Sequence, residues 1–491
     1  MESNILIKRN IDKEFSASTV AFLTLGCKVN SYETEAMQKL FEDEGLRIVE
    51  FSQKADIYVI NTCTVTNIAD RKSRQMLHKA RKMNENALVV AVGCYVQAAK
   101  DTLELDAAID VVIGNNKKKD IIGILKEHFG GNTCTVEQDT LQREEENSTK
   151  DKNILKEDED TKIFHKEDRV IDISHETEYE ELNIREVSEK TRAYIKIQDG
   201  CNQFCSYCII PYARGRVRSR SQSAVIEEVK RLVEKGYKEI VLTGIHLSSY
   251  GIDFTENEAY EEESLLLKLI VSLHEIEGLQ RIRLGSLEPR IITENFAGTL
   301  SRLSKMCPHF HLSLQSGCDA TLKRMNRKYT AQEYYEKCLL LRKYFTAPAI
   351  TTDIIVGFPG ETEEDFLETQ RYLRKISFAQ MHVFKYSVRK GTKAEIMPDQ
   401  VKEEVKAQRS NALIQLAETM TKEYQSYFEG KTETILIEEA MVIDGITYQV
   451  GHNERYLKLA VKSEEDLTNQ LVSAKVCGYL SKEIMFCEIM D

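Results

Sequence analysis

Three apolar runs in the first hundred residues each end at a cysteine, and no other feature of the chain narrows its fold so far. AFLTLG precedes Cys27, DIYVIN stands shortly before Cys63, and LVVAVG precedes Cys94. Each run is short and unbroken, as in strands of a parallel sheet buried on both faces. The cysteines lie 36 and 31 residues apart, close to the length of a strand, helix, strand unit. YETEAMQKLFEDEGL, between the first two, carries Met37, Leu40 and Phe41 at helical spacing. Such units build an open α/β sheet whose ligands gather beyond the carboxyl ends of the strands. Cys27, Cys63 and Cys94 are therefore expected to meet in space and hold a 4Fe-4S cluster, although any one of them alone reads as a buried structural thiol.

A second trio is local: Cys201-Asn-Gln-Phe-Cys205-Ser-Tyr-Cys208. Three thiolates from one loop bind three irons of a cube and leave the fourth open to a chelating cofactor. The alternative is a zinc knuckle, but zinc favours paired short Cys/His spacings, and no second pair or nearby His follows. The N-terminal MESNILIKRNIDKEF has no apolar signal core, and the longest apolar stretch is far below the roughly 18 residues of a membrane span. A cytoplasmic, reducing setting is expected, without membrane attachment. There the 12 cysteines serve as ligands or buried thiols rather than disulfides; the six outside the two trios read as core.

Beyond residue 185, strand candidates recur at 193–197, 239–243, 281–285, 311–315, 350–356 and 381–387, with amphipathic helix patterns such as SAVIEEVKRLVEKG between them. This alternation predicts six parallel strands in a partial barrel with helices outside. Barrel chemistry sits at the carboxyl ends of the strands, and the Cys201 loop follows the first. Small and polar residues mark the other ends, so Gly244, Ser286, Gln315 and Gly357, with Tyr207 in the loop, are the expected cofactor contacts. Thr362 and Asp365 read as a helix cap beside Gly357. His246 and His382 are ambiguous and stay outside the expected site.

Charge divides the chain. The net charge is −12, yet Glu137 to Glu181 holds 17 acids and 7 bases, so the remainder is near neutral. That segment lacks apolar periodicity and reads as a flexible linker. Ile68 to Lys82 carries six bases against one acid, and Lys190 to Arg220 seven against one. Basic stretches beside a site attract polyanions, so Arg214, Arg216, Arg218 and Arg220 are expected to contact RNA phosphates. The alternative is an Arg-rich loop that binds the barrel's own acids.

TLGCKVNSYETE, NTCTVTNIAD, VVAVGCYVQ and DGCNQFCSYCIIPYARGRVRSR together resemble the radical S-adenosylmethionine methylthiotransferase family, and the likeness runs on through RIRLGSLEPR, LSLQSGCDATLKRMNRKYT and TTDIIVGFPGETEEDF. The GCKVN and NTCTVT forms are similar to the members that act on threonylcarbamoyladenosine in tRNA, immediately 3′ of the anticodon. The resemblance implies two 4Fe-4S clusters. The one on Cys201, Cys205 and Cys208 cleaves S-adenosylmethionine; the one on Cys27, Cys63 and Cys94 presents sulfur. It also implies tRNA and a reducing flavodoxin- or ferredoxin-type donor as partners.

The expected organisation is an N-terminal α/β domain over 1–136, an acidic linker over 137–185, a radical S-adenosylmethionine partial barrel over 186–427, and a C-terminal all-β barrel over 428–491 that resembles the RNA-binding TRAM domain. That last stretch has 12 acids and 6 bases, so any RNA contact needs a local face, for which Arg455 and Lys458 are candidates. The same chemistry on isopentenyladenosine or on a ribosomal-protein aspartate is one alternative function. A non-catalytic iron-sulfur or zinc RNA-binding protein is another.

Overall fold

The computed structural model describes residues 17–130, 169–182, 191–254 and 264–490. The first unit is a five-stranded parallel sheet in the order β2-β1-β3-β4-β5, with β1 Thr19–Thr24, β2 Arg47–Val49, β3 Ile57–Thr62, β4 Leu88–Gly93 and β5 Val111–Ile113. Every residue of β3 and β4 is buried, because helices cover both faces of such a sheet. Helix α1 (Lys28–Asp43) serves two cores. Met37 and Phe41 pack on the sheet, while Tyr32 and Ala36 join the core of the second unit. A helix apolar on two sides is one that is sandwiched, and α1 joins the two units. Helix α2 (Asn67–Met83) follows Cys63, and the short α3 (Cys94–Ala98) begins at Cys94 itself.

The second unit contains the six expected strands: β6 Arg192–Asp199, β8 Glu239–Gly244, β9 Arg281–Leu284, β10 His309–His311, β11 Ala349–Val356 and β12 Gln380–Lys385, with β7 Arg218–Ser219 antiparallel beside β6. They form a four-stranded and a three-stranded sheet, joined where Leu287 pairs with Leu312 and Ile282 with Met306. The result is a partial barrel of six parallel strands. The run expected to be a strand at 311–315 leaves the ladder after His311. Gln315 takes a left-handed φ of 73° and rejoins by accepting from Ile355 N and donating to Asp353 O.

The third unit is a closed barrel, β13-β14-β15-β17-β16, with β13 Thr432–Ile443, β14 Ile446–His452, β15 Lys458–Lys462, β16 Leu471–Tyr479 and β17 Met485–Ile489. Its loop after β14 closes the amino end of the partial barrel. Arg283 donates to Glu454 O and Asn453 O, and Arg281 to His452 O and Thr434 O. Tyr456 stacks on His452 at 4.4 Å, beneath the guanidinium groups of Arg192 and Arg283. The carboxyl ends of the strands are left open, on the side of the Cys201 loop. Arg455, a candidate for RNA contact, instead donates to Ala347 O and Thr346 O and pairs with Glu433, while Lys458 lies 3.6 Å from Glu439. Among the described residues no helix is long and apolar enough to cross a membrane.

The structure corrects part of the expected linker. Residues 137–168 and 183–185 lie outside the described residues, but 169–182 pack. Arg169 O accepts from Gly114 N, Ile171 O accepts from Gln97, and Val170, Ile173 and Leu182 are buried. Averaged over the whole acidic segment, these few apolar residues carried no signal. Of the thiols expected in the core, Cys307, Cys318, Cys338 and Cys487 are buried; Cys477 is exposed, and Cys134 lies outside the described residues.

Val170→Asp tests this packed strap. A carboxylate in that apolar contact should cost at least about 2 kcal/mol and lower the melting temperature of the purified chain. An unchanged melting curve would show that the strap contributes nothing.

Candidate active site

The Cys201 loop is fixed from three directions. At the end of β6, Gly200 has φ +69°, and an added Cβ would lie 1.7 Å from Arg216 O, so only glycine fits there. Cys201 N donates to Gly215 O at 3.0 Å, and Ser206 N to Met325 O at 3.0 Å. Asn326 holds Phe204 O at 2.9 Å. Arg327 donates to Cys205 Sγ at 3.2 Å. Burial pushes the thiols up, Cys201 to about 11 and Cys208 to about 12. The anionic form therefore needs a metal or a cation to stabilise it, and Arg327 supplies a cation.

The expected cofactor contacts Gly244, Ser286, Gln315 and Gly357 lie at the ends of β8, β9, the β10 run and β11, on the same rim as this loop. Ser286 is exposed there. Tyr207 packs edge-on to Phe358 at 6.3 Å. Gly244 sits against Gln198, where an added Cβ would lie 2.9 Å from Oε1, and Gly357 (φ +71°) closes a turn against Lys406 with its N–H given to Glu361. His246 also belongs to this rim. Its backbone N binds Gln198, its Nδ1 meets Ser249, and its buried Nε2 has no partner. Burial, then Arg327 and Arg290, lowers its pKa to about 4, so it is neutral and free to bond a ligand. No periodic pattern in the sequence separates it from a core histidine.

Cys27, Cys63 and Cys94 follow the adjacent strands β1, β3 and β4. Gly26 (φ +105°) brings the first two loops into touch: a Cβ there would lie 2.9 Å from Cys63 Cβ. Asn30 ties the same loops, donating to Leu25 O and Thr62 O. The three thiols feel one another's charge. Cys27 is reached by solvent while protein surrounds it, as on the wall of a crevice. Burial pushes Cys63 up to about 11. Cys94 Sγ accepts from Arg214 Nε at 3.1 Å and from Asn115 at 3.6 Å. Among the described residues no three His, Cys, Asp or Glu side chains are gathered as for a single metal ion; the thiolates of a cluster sit on separate irons and need no such gathering.

Arg214 is the hub of a buried charge network. It pairs with Glu33 at 2.8 Å and Asp199 at 3.0 Å. Lys196 meets Glu33 at 2.7 Å and Asp199 at 2.6 Å, Lys118 meets Glu33 at 3.0 Å, and Arg218 stands 3.9 Å from Asp199. Four cations thus surround two carboxylates, and the positive excess faces Cys94. Anionic cluster ligands at the trio would balance it, so the residues fit the group. Burial alone would raise the Glu33 carboxyl, but Arg214, Lys118 and Lys196 outweigh it and hold it well below the ordinary range.

This overturns most of the expected phosphate contacts. Arg214, Arg218 and Arg220 are each 0% exposed. Arg220 is held by Glu228 and Glu181, and Arg218 donates to Arg214 O and Arg216 O. Arg216 alone of the four is exposed; it lies 4.8 Å over the Phe204 ring, which meets the exposed Tyr212 edge-on. The basic face of α2 is also exposed, at Arg71, Lys72, Arg74 and Lys79. Arg389 anchors the start of α2, with Nη1 2.8 Å from Asp70 and Nη2 2.7 Å from Thr64 Oγ1.

Two family models match the chain: the Radical SAM superfamily over residues 195–373 and an uncharacterized protein family, UPF0004, over residues 19–114. The threonylcarbamoyladenosine tRNA methylthiotransferase MtaB of Bacillus subtilis (strain 168) is 40% identical over 96% of this chain and 97% of its own length. A relative of the same name from Aquifex aeolicus (strain VF5) is 38% identical over 86% and 93%. The tRNA-2-methylthio-N(6)-dimethylallyladenosine synthase of Finegoldia magna is 31% identical over 98% and 96%. The solved structure of the radical S-adenosylmethionine methyltransferase TsrM from Kitasatospora setae, with cobalamin and a [4Fe-4S] cluster bound, shares the fold: TM-score 0.52 and 15% identity over 77% of this chain and 74% of that one.

Replacing Arg214 with Gln strands Glu33 in the interior with fewer donors. The cost should be about 3–5 kcal/mol at neutral pH, read by denaturant unfolding of the metal-free chain. Because the Glu33 pKa is depressed on folding, its contribution is complete above about pH 5 and is lost progressively as pH falls through the unfolded value towards the folded one. In the variant, with the folded pKa less depressed, that acid loss should be smaller and end at higher pH. Equal stability and an unchanged acid limb would contradict the hub role.

Proposed function

Because the chain belongs to the radical S-adenosylmethionine methylthiotransferase family, we propose that it converts threonylcarbamoyladenosine, immediately 3′ of the anticodon in tRNA, to its 2-methylthio derivative. The observation that carries this reading is that two consecutive residues connect the two cysteine trios: Gly215 O receives the Cys201 N–H, and Arg214 Nε donates to Cys94 Sγ. A radical site and a sulfur site on either side of one backbone unit suit a reaction in which a single carbon loses hydrogen and gains sulfur. Carbon 2 of adenine has no leaving group and no acidic proton, so acid-base chemistry alone does not activate it.

Two 4Fe-4S clusters, which the two trios would hold, and S-adenosylmethionine, which the rim would bind, would supply the radical, the sulfur and the methyl group. The chain's own residues do the rest. Arg327 and Arg214 provide positive charge beside the sulfur ligands, and the rim residues Gly244, Ser286 and Gln315, with the unpartnered Nε2 of His246, face the cofactor. Exposed Arg216, stacked on Phe204 beside Tyr212, fits a phosphate next to an extruded base. The basic face of α2 extends that surface. A flavodoxin- or ferredoxin-type protein supplies electrons.

Reconstituted protein should hold about eight irons per chain. Cys205→Ala should abolish reductive cleavage of S-adenosylmethionine, whereas Cys63→Ala should retain cleavage and make no methylthio product. About four irons, or normal product from Cys63→Ala, would remove the second site. Mass spectrometry of tRNA nucleosides decides the base: product on threonylcarbamoyladenosine supports the reading, and product on the dimethylallyl form replaces it.

Arg216→Gln should weaken tRNA binding and reduce the slope of log affinity against log salt by about one. An unchanged slope would remove Arg216 from the RNA surface.

A further inference from the structure

Lys28 breaks a local rule. It is the first residue of α1, where the helix dipole favours acids and disfavours a cation. The N-cap Cys27 makes no side-chain cap bond, and the first turn holds no acid. Among the described residues Lys28 also has no carboxylate within ion-pair distance. The nearest charges do not satisfy it. Arg192 and Arg283 repel it, and Glu239, which attracts it, is already held by Arg283 at 2.8 Å, Arg281 at 3.7 Å and Arg192 at 3.8 Å. An unpaired cation at an uncompensated helix start, one residue from a cysteine of the sulfur site, is a place prepared for an anion.

Its surroundings say which anion. Lys28 Nζ lies 5.8 Å over the ring of Tyr194, on the face of β6 opposite the buried Ala193, Ile195 and Ile197, which is the concave face of the partial barrel. Lys28 also acts electrostatically on His382, exposed on β12, whose ring is 6.2 Å from that of His311. The cation therefore faces a recess between α1 and the barrel strands and not the outer surface that a phosphate backbone would cross. Of the acids near these rings, Asp353 already pairs with His311 at 3.3 Å and Glu438 with Arg192 at 2.9 Å, which leaves Lys28 without a carboxylate of its own among the described residues.

We propose that Lys28 receives the free carboxylate of the threonylcarbamoyl group and is a specificity-determining residue for acidic base modifications. This rests on the function proposed above. That carboxylate hangs from the same purine whose carbon takes up sulfur, so a cation adjacent in sequence to Cys27 lies within its range. An uncharged modification leaves Lys28 unpaired, and the loss of a hydrogen bond to a charged partner then works against the wrong substrate.

The test compares tRNA bearing threonylcarbamoyladenosine with the same tRNA after its threonyl carboxylate is converted to the primary amide, which removes the charge and keeps the shape. The holoenzyme should prefer the acid over the amide by about 10- to 100-fold in kcat/KM. Lys28→Gln should lose that preference, and Lys28→Arg should retain most of it. Affinities of the cluster-free proteins for the two tRNAs should follow the same order, so the readout survives a damaged cluster. A Lys28→Gln protein that still separates acid from amide as the parent does overturns the proposal, as does one that weakens both tRNAs equally, which would mark a phosphate contact. If the parent makes no methylthio product from the acid-bearing tRNA, it is the proposed function that fails.

Discussion

The pairing of Arg214 with Glu33 and Asp199 is the interaction on which the rest of the arrangement depends. Glu33 comes from α1 of the first unit, Asp199 from the end of β6, and Arg214 from the last residue of the short helix Ile210–Arg214 that follows the Cys201 loop, so one guanidinium holds three segments in register. Arg214 and Glu33 stand 181 residues apart in sequence. A buried pair of this kind is a weak source of net stability, because desolvation consumes most of the Coulomb energy, yet breaking it is expensive. Its consequence is geometric. With Lys196 and Lys118 also on Glu33, the sandwiched α1 cannot slide on the barrel without separating several buried charges, so the start of α1, with Cys27 and Lys28, keeps its place against the barrel.

The positive excess of that network faces the sulfur of Cys94, and Arg327 plays the same part for Cys205. Glycine completes the placement at the few points where backbones must touch. Gly26 lies against Cys63, Gly200 against Arg216, and Gly93, at φ +96°, against Asn61 and Thr62. Each stands beside a cysteine of one of the trios, and a side chain at any of them would push that cysteine's loop aside. The C-terminal barrel closes the other end through Arg281, Arg283 and Tyr456, which leaves the carboxyl ends of the strands as the open side of the partial barrel.

Much of this was legible in the sequence, because its signals are local. Cysteines at the ends of apolar runs, a three-cysteine loop after a strand, and a basic helix after Cys63 are all patterns of neighbouring residues. Arg214, Arg218 and Arg220 were misread because composition does not distinguish a basic loop that faces phosphate, as Arg216 is placed to do, from one that faces buried acids; Glu33 and Glu228 decide that, and both lie on other elements. The strap at 169–182 was hidden by the acidic average around it, and the kink at Gln315 by an alternation that suits a continuous strand. His246 and Lys28 were legible only once the elements around them could be seen to leave them without partners.

The central claim is that the two cysteine trios form one composite site across Arg214 and Gly215. Electron paramagnetic resonance of the reduced holoenzyme tests it most directly. Two reduced 4Fe-4S clusters on either side of that unit should show spin–spin coupling, and the coupling should vanish in Cys63→Ala while the signal of the Cys201 cluster remains. Two independent signals that superimpose without interaction, or a single cluster signal unchanged by the substitution, would contradict the account.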